Sequence, residues 1–352
     1  MDMSPQNLPG IESYVKDLVI QFSFRQSNFT LDDFFSQPAL LDILGASHRE
    51  GHLSGLTLNM LINPHLEPVK PHGWGDLPTS FRDVFASLIR LPSVTSLTID
   101  WLDGLPRELF GSTNLESCAL THSRSPPSAF ATAGMKVLKT DHMYTFDGAG
   151  DHFCNLREAE VINTSAEDFI QSWTLMKAAG SSLYSLNIVD AFREPFISPI
   201  MRMHPDSPAV REAPPLTVVP NLQQLRYSVY ESDHASFFVP ILWQLFDVSA
   251  PHKTLYSIIL ELEYITSVHS IRDAVDTVES PLWAQLDESW TSGHFPELKT
   301  VEIHVKMLHL IPELVNAPGI GENISRAFAN SLARTSQDKS LSVFVELQTI
   351  SL

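Results

Sequence analysis

The 352-residue sequence contains only two cysteines, no long apolar run and no surplus of positive charge. Cys118 and Cys154 cannot build a disulfide framework and lack metal-ligand spacing, so they read as two buried thiols in a reducing compartment. No stretch approaches the ~20 apolar residues of a membrane-spanning helix. The opening residues, MDMSPQNLPGIESYVKDL, have neither the basic n-region nor the apolar h-region of a secretory signal. The expected location is therefore cytoplasmic or nuclear, with no membrane association. Without a secretory signal, the Asn-x-Ser/Thr triplets at Asn28, Asn163 and Asn323 are not expected to be glycosylated.

Lysine and arginine total 23 against 41 aspartates and glutamates, a formal charge of −18 spread without long acidic runs. Such a surface repels phosphate backbones, and no nucleic-acid partner is expected. What the chain has in plenty is apolar residues, 43% of the total, enough for a sizeable core.

Those apolar residues recur in a pattern. In PSVTSLTID, residues 92 to 100, Val94, Leu97 and Ile99 are spaced i, i+3, i+5, and ten such triplets occur in order. They are Val15/Leu18/Ile20, Leu53/Leu56/Leu58, Val94/Leu97/Ile99, Leu115/Cys118/Leu120 and Met135/Leu138/Thr140. The remaining five are Leu156/Ala159/Val161, Leu183/Leu186/Ile188, Leu222/Leu225/Tyr227, Leu255/Ile258/Leu260 and Leu298/Val301/Ile303. A β-rich run from Leu341, LSVFVEL, could close the set. Several copies share a turn-forming lead-in such as LPSV, FCNL, VPNL or FPEL. The middle copies fall about 20 residues apart and most others roughly 30 to 45.

The long intervals carry helical patterns. TLDDFFSQPALLDILGAS starts with a Thr30/Asp33 capping box, and LPTSFRDVFASLIRLP puts Phe81, Val84, Phe85, Leu88 and Ile89 on one face. SAEDFIQSWTLMKAAG pairs Ser165 with Asp168 and stops at Gly180. SDHASFFVPILWQLFDVSAP and SVHSIRDAVDTVESPLWAQLDESW are helical but interrupted at Pro240 and Pro281, and NISRAFANSLARTS forms a last short helix. Trp173 and Trp243 fall at core spacing.

The fold class expected is α/β: one irregular leucine-rich-repeat-like solenoid over residues 1–352, with parallel strands on one face and helices or turns on the other. Proline-rich insertions at about 62–78 and 191–220 read as surface excursions from it.

FSFRQSNFTLDDFF, LPTSFRDVFASLIRLPSVTSLTID with the LPRELFGSTNLESCAL that follows, and FFVPILWQLF with TLYSIILELE resemble the leucine-rich-repeat-like region of uncharacterised F-box proteins from mushroom-forming basidiomycetes. The resemblance is one of layout over most of the chain. It implies a substrate-recognition region of a cullin-type ubiquitin ligase, docked to a Skp-type adaptor through an F-box. Here Asn7–Gly10 (NLPG) is followed at once by the strand pattern IESYVKDLVIQF, so no F-box is visible. A Skp-type adaptor is expected as a partner only if an F-box precedes this sequence.

Chemistry-bearing motifs are sparse. HREGH, His48 to His52, has its glutamate one position late for a zinc-protease helix and a glycine that weakens the helix, so a solvated turn is expected. In DHFC, Asp151 to Cys154, consecutive residues cannot face one another as nucleophile and base. GAGDH and PGIGEN read as turns rather than phosphate loops, and no nucleophile elbow or Walker sequence occurs. The expectation is a non-enzymatic protein-interaction scaffold with no metal or cofactor; the alternative is an enzyme whose residues converge only in three dimensions. In the repeat, residues flanking the last two apolar positions point away from the core. They are Thr57, Asn59, Thr98, Asp100, Lys139, Asp141, Glu160, Asn187, Arg226, Ser228, Glu261, Glu302 and His304, a mildly acidic strip where an as yet unknown protein partner would bind.

Overall fold

The structure is a computed structural model that describes residues 15–23, 30–61, 72–121, 134–141, 153–163, 166–190, 212–232, 238–266, 281–309 and 320–349. It divides into two compact units, Met1–Asn155 and Leu156–Leu352.

The first unit runs β1 (Asp17–Ser23), α1 (Leu31–Phe35), α2 (Pro38–Glu50), β2 (Gly55–Leu61), β3 (His72–Gly73), α3 (Thr79–Ile89), β4 (Ser96–Asp100), β5 (Leu102–Asp103), β6 (Ser117–Thr121) and β7 (Val137–Thr140). Five of these strands pair in parallel in the order β1-β2-β4-β6-β7, and β3 pairs with β5 separately. In the second unit follow β8 (Glu158–Asn163), α4 (Ala166–Ala179), β9 (Ser185–Asp190), β10 (Gln224–Ser232), α5 (Phe238–Phe246), β11 (Ser257–Thr266), α6 (Pro281–Thr291), β12 (Thr300–His309), α7 (Ile320–Ser331), α8 (Ala333–Asp338) and β13 (Ser340–Thr349). Here β8 to β13 pair in parallel, each beside the strand that precedes it.

The sequence triplets align in register. In the first unit the second position forms the row Leu18, Leu56, Leu97, Cys118, Leu138, and the third forms Ile20, Leu58, Ile99, Leu120, Thr140. In the second unit the rows are Ala159, Leu186, Leu225, Ile258, Val301, Leu341 and Val161, Ile188, Tyr227, Leu260, Ile303, Val343. Nearly all are buried, so each strand contributes one rung to a shared apolar layer.

The odd spacing of the triplet has a local cause. Strand positions two apart share a face, whereas the first apolar residue lies three before the second, across the end of a turn. Val94, Leu222 and Leu298 each donate a backbone hydrogen bond to the carbonyl three residues earlier, on Leu91, Val219 and Phe295, at 3.0, 3.0 and 3.2 Å. The shared lead-ins LPSV, VPNL and FPEL are thus the same turn. It tucks the first apolar side chain under the strand that follows.

The helices bury their stripes as the periodicity requires. Thr30 and Asp33 form the reciprocal capping box of α1, with Asp33 N–H donating to Thr30 Oγ1 at 3.1 Å and Thr30 N–H to Asp33 Oδ2 at 3.0 Å. In α3, Phe81, Phe85, Leu88 and Ile89 are fully buried, and Phe81 meets Phe35 at a ring-centroid distance of 4.4 Å; Val84 stays partly exposed. Trp173 is buried in α4, which ends at Ala179 before Gly180 at φ +47°, while Trp243 in α5 is only half-buried. Trp283 of α6 packs edge-on against Phe328 of α7, at 5.0 Å.

Several expectations need correction. Cys154 is exposed, not buried. Pro281 opens α6 and Pro240 lies in the first turn of α5, positions that need no donated N–H, so neither breaks a described helix. The last helix is two, α7 and α8, with Leu332 between them at ψ +40°. Gly321 of PGIGEN sits in the first turn of α7, where a side chain would touch Val345.

The excursions are also smaller than expected. Within 62–78, residues 62–71 lie outside the described residues, but Trp74 and Leu77 are buried, and Trp74 packs on Phe85 of α3 at 6.0 Å. Of 191–220, residues 191–211 lie outside the described residues, and Ala213, Leu216 and Val219 are buried. Among the described residues no helix is long and apolar enough to cross a membrane.

Candidate functional site

The residues between the apolar rungs of each parallel ladder form its open face. In the first unit one row is Val19, Thr57, Thr98, Ala119, Lys139 and the next is Gln21, Asn59, Asp100, Thr121. Thr121 Oγ1 donates to Asp100 Oδ1 at 2.8 Å. That contact is fixed by the backbone: Trp101, which follows Asp100, takes φ +62° and donates its N–H to the Thr121 carbonyl at 2.9 Å. Asp141 lies just past the end of β7 and is 3% exposed, so it contributes nothing to the accessible face.

The open face of the second unit is more highly charged. Its rows are Glu160, Asn187, Arg226, Ile259, Glu302, Ser342 and then Ile162, Val189, Ser228, Glu261, His304, Phe344. A further row, Glu263, Lys306 and Glu346, spans β11 to β13.

These side chains hold one another across the strands. Asn187 Nδ2 donates to Glu160 Oε2 at 3.1 Å. Glu261 accepts from Arg226 Nε at 3.0 Å, from Arg226 Nη2 at 2.5 Å and from Ser228 Oγ at 2.7 Å. Lys306 Nζ donates to Glu263 Oε2 at 3.1 Å. His304 lies 3.3 Å from Glu302 Oε2 and stacks on Phe344 at a centroid distance of 4.7 Å. Burial pushes the Glu261 carboxyl up, but the hydrogen bonds from Arg226 and Ser228, with the charges of Arg226 and His304, outweigh it and hold the group below the ordinary glutamate value.

Twelve of the thirteen residues expected on the strand face therefore lie on parallel strands, Ser228 being buried among its partners, and Asp141 is the exception. Glu263 and Lys306 were missed because they lie beyond the residues flanking the triplets, and Phe344 because no triplet was assigned to the run from Leu341. The long strands β11 to β13 continue the same alternation for two more residues on each face, and SIILELEYIT shows it.

The other sequence candidates do not assemble. Helix α2 stops at Glu50, Gly51 takes the left-handed conformation at φ +67°, and His48 and His52 are both exposed. Asp151, His152 and GAGDH lie outside the described residues. Among the described residues no group of three or more His, Cys, Asp or Glu is placed to hold a metal ion. Complete burial pushes the Cys118 thiol up to about 12, so it is not a nucleophile at neutral pH. Asn163 is fully buried, and its Oδ1 accepts from Ser172 Oγ at 2.7 Å, a position closed to glycosylation.

Comparison of the chain with models of known protein families gives no match, and neither does comparison with curated proteins.

Proposed function

We propose that both units are runs of an irregular leucine-rich-repeat-like array, and that the chain is a non-enzymatic protein-interaction scaffold whose open strand face receives a protein partner. The observation that carries this reading is the cross-strand network of β10 to β13. Arg226, Glu261, Glu263 and Lys306 fix one another's positions yet keep between 24 and 46% of their side-chain surface accessible. A partner meeting such a face finds its charges already ordered, which lowers the entropy lost on association. The exposed Phe344 ring, 52% accessible and stacked on His304, supplies an apolar contact within it. The resemblance to the substrate-recognition region of fungal F-box proteins points to the same use of the face. Two buried ionisable groups of the second unit serve the fold: Asp287 caps a helix and His252 bridges two backbone segments.

Affinity capture from extract of the source cells tests the reading, using the wild-type chain, Glu263→Lys/Phe344→Ser on the open face, and Glu322→Lys/Arg326→Glu on α7. The expected result is a protein that, once purified, binds the wild type and the α7 variant but not the open-face variant. A bound protein indifferent to the open face, or no partner at all, overturns the proposal.

A further inference from the structure

A second surface of the second unit lies outside the open face. In each repeat the residue after the first apolar position sits between the turn and the strand: Arg157, Tyr184, Gln223, Tyr256 and Lys299. Their backbones form a continuous column. The Arg157 carbonyl accepts from Tyr184 N–H at 2.8 Å, Tyr184 from Gln223 at 2.8 Å, Gln223 from Tyr256 at 2.9 Å, and Tyr256 from Lys299 at 2.9 Å. Neighbouring positions are therefore one strand spacing apart, about 4.8 Å, and Arg157 to Lys299 span about 19 Å.

All five side chains are solvent-exposed, Tyr184 by 40% and Tyr256 by 44%. The same register places Lys339 beside Lys299, since Thr300 pairs with Ser340. The column thus holds three cations, two phenols and an amide, and no carboxylate. The equivalent column of the first unit is Lys16, Ser54, Thr95, Glu116 and Lys136. It has no aromatic residue, and its Lys136 is spent on Glu116 at 2.6 Å.

We infer that the column from Arg157 to Lys339 is a docking strip for an extended acidic peptide segment of a protein partner. Charge complementarity favours such a ligand: within a chain of net charge −18, a carboxylate-free row of donors is the local exception. Unlike Arg226 and Lys306 on the open face, the side chains of Arg157, Tyr184, Gln223, Tyr256 and Lys299 have no hydrogen-bond or ion-pair partner among the described residues. Their donors can thus meet a ligand without first breaking a contact. Tyrosine adds a rigid apolar ring with a polar tip at small entropic cost, the residue type favoured at recognition sites. With Lys339 the column spans five strand spacings, about 24 Å, which an extended chain of about seven residues covers. Three cations are few for a nucleic-acid strand, whose binding rests on many phosphate contacts.

Fluorescence anisotropy with a labelled peptide of alternating glutamate and serine, about ten residues long, tests the inference, with the lysine-for-glutamate analogue as control. The full chain should bind the acidic peptide, more tightly at low salt, and leave the basic analogue unbound. Arg157→Glu/Lys299→Glu should weaken binding roughly tenfold or more, and Tyr184→Ala/Tyr256→Ala roughly threefold or more. Lys177→Glu/Arg326→Glu, which changes the net charge equally at exposed positions of α4 and α7, should leave binding within about twofold. Thermal unfolding of each variant confirms that it folds. Absence of binding by the wild type, equal loss in the helix variant, or preference for a single-stranded oligonucleotide of the same length overturns the inference. Open-face variants belong to the preceding proposal and do not bear on this one.

Discussion

Asp287 of α6 and Thr335 of α8, 48 residues apart in sequence, are joined by a hydrogen bond in which the Thr335 N–H donates to Asp287 Oδ1 at 2.7 Å. The second carboxylate oxygen accepts from Arg334 N–H at 3.0 Å. A helix start that lacks a side-chain cap of its own is thereby capped by a residue of another helix. Asp287→Ala strands both N–H groups, and the expected cost is about 1–3 kcal/mol for each one left buried. Urea unfolding of the variant should show a lower midpoint with an unchanged slope.

His252 supplies a pH-dependent element. The ring is buried, Nε2 donates to the Val219 carbonyl at 3.0 Å and Nδ1 accepts from Leu255 N–H at 3.3 Å. Burial lowers its pKa below 6.5, only partly offset by its backbone hydrogen bonds. The unfolded chain therefore takes up a proton first as pH falls through 6.5, and stability declines below that pH by at most about 1.4 kcal/mol per pH unit from this group. Well above pH 6.5 neither state holds the proton and the group adds no pH dependence. His252→Asn keeps an acceptor for Leu255 and does not titrate, so its stability should fall less steeply between pH 6.5 and 5; an unchanged slope would show that another group controls it.

Glu261 acts at lower pH. Its folded pKa is depressed below 4.5, so its contribution is present above that value and is lost as pH falls through the folded pKa. At neutral pH, a double-mutant cycle of Arg226→Ala and Glu261→Ala should give a coupling of about 0.2–1 kcal/mol, because both side chains remain partly exposed. A coupling near zero would mean that the network is not ordered in solution.

Leu97 tests the shared apolar layer. It is fully buried in β4, between Leu56 and Cys118 on the neighbouring strands. Leu97→Ala should cost about 2–5 kcal/mol, whereas Thr98→Ala beside it on the open face should change stability by no more than about 0.5 kcal/mol. Comparable losses in the two variants would contradict the assignment of faces.

The ladder was legible because its cause is local. Turn residues such as Pro92 and Pro220, then an apolar residue, then alternation, force a turn and a half-buried strand wherever they occur. Capping and stripe patterns likewise located α1 and α3. Less legible were Trp74 and Leu77, since prolines nearby suggested a loop, yet α3 offered them an apolar surface to cover.

Twelve strand residues of the expected thirteen could be selected by alternation alone, because a strand sends successive side chains to opposite sides; Asp141 failed because β7 ends before it. Whether they meet could not be read from it. Arg226 and Glu261 stand 35 residues apart, and their contact depends on the register between β10 and β11. The column from Arg157 to Lys339 was invisible for the same reason, its members being separated by intervals of 27 to 43 residues of unrelated sequence.

The amino-acid sequence alone determined the apolar triplets, the turns that introduce them and the sides to which strand residues point, because these follow from backbone geometry over a few residues. Only the tertiary structure decided which triplets became neighbours, which charges paired and which remained free, because parallel pairing brings together residues that no local interaction connects.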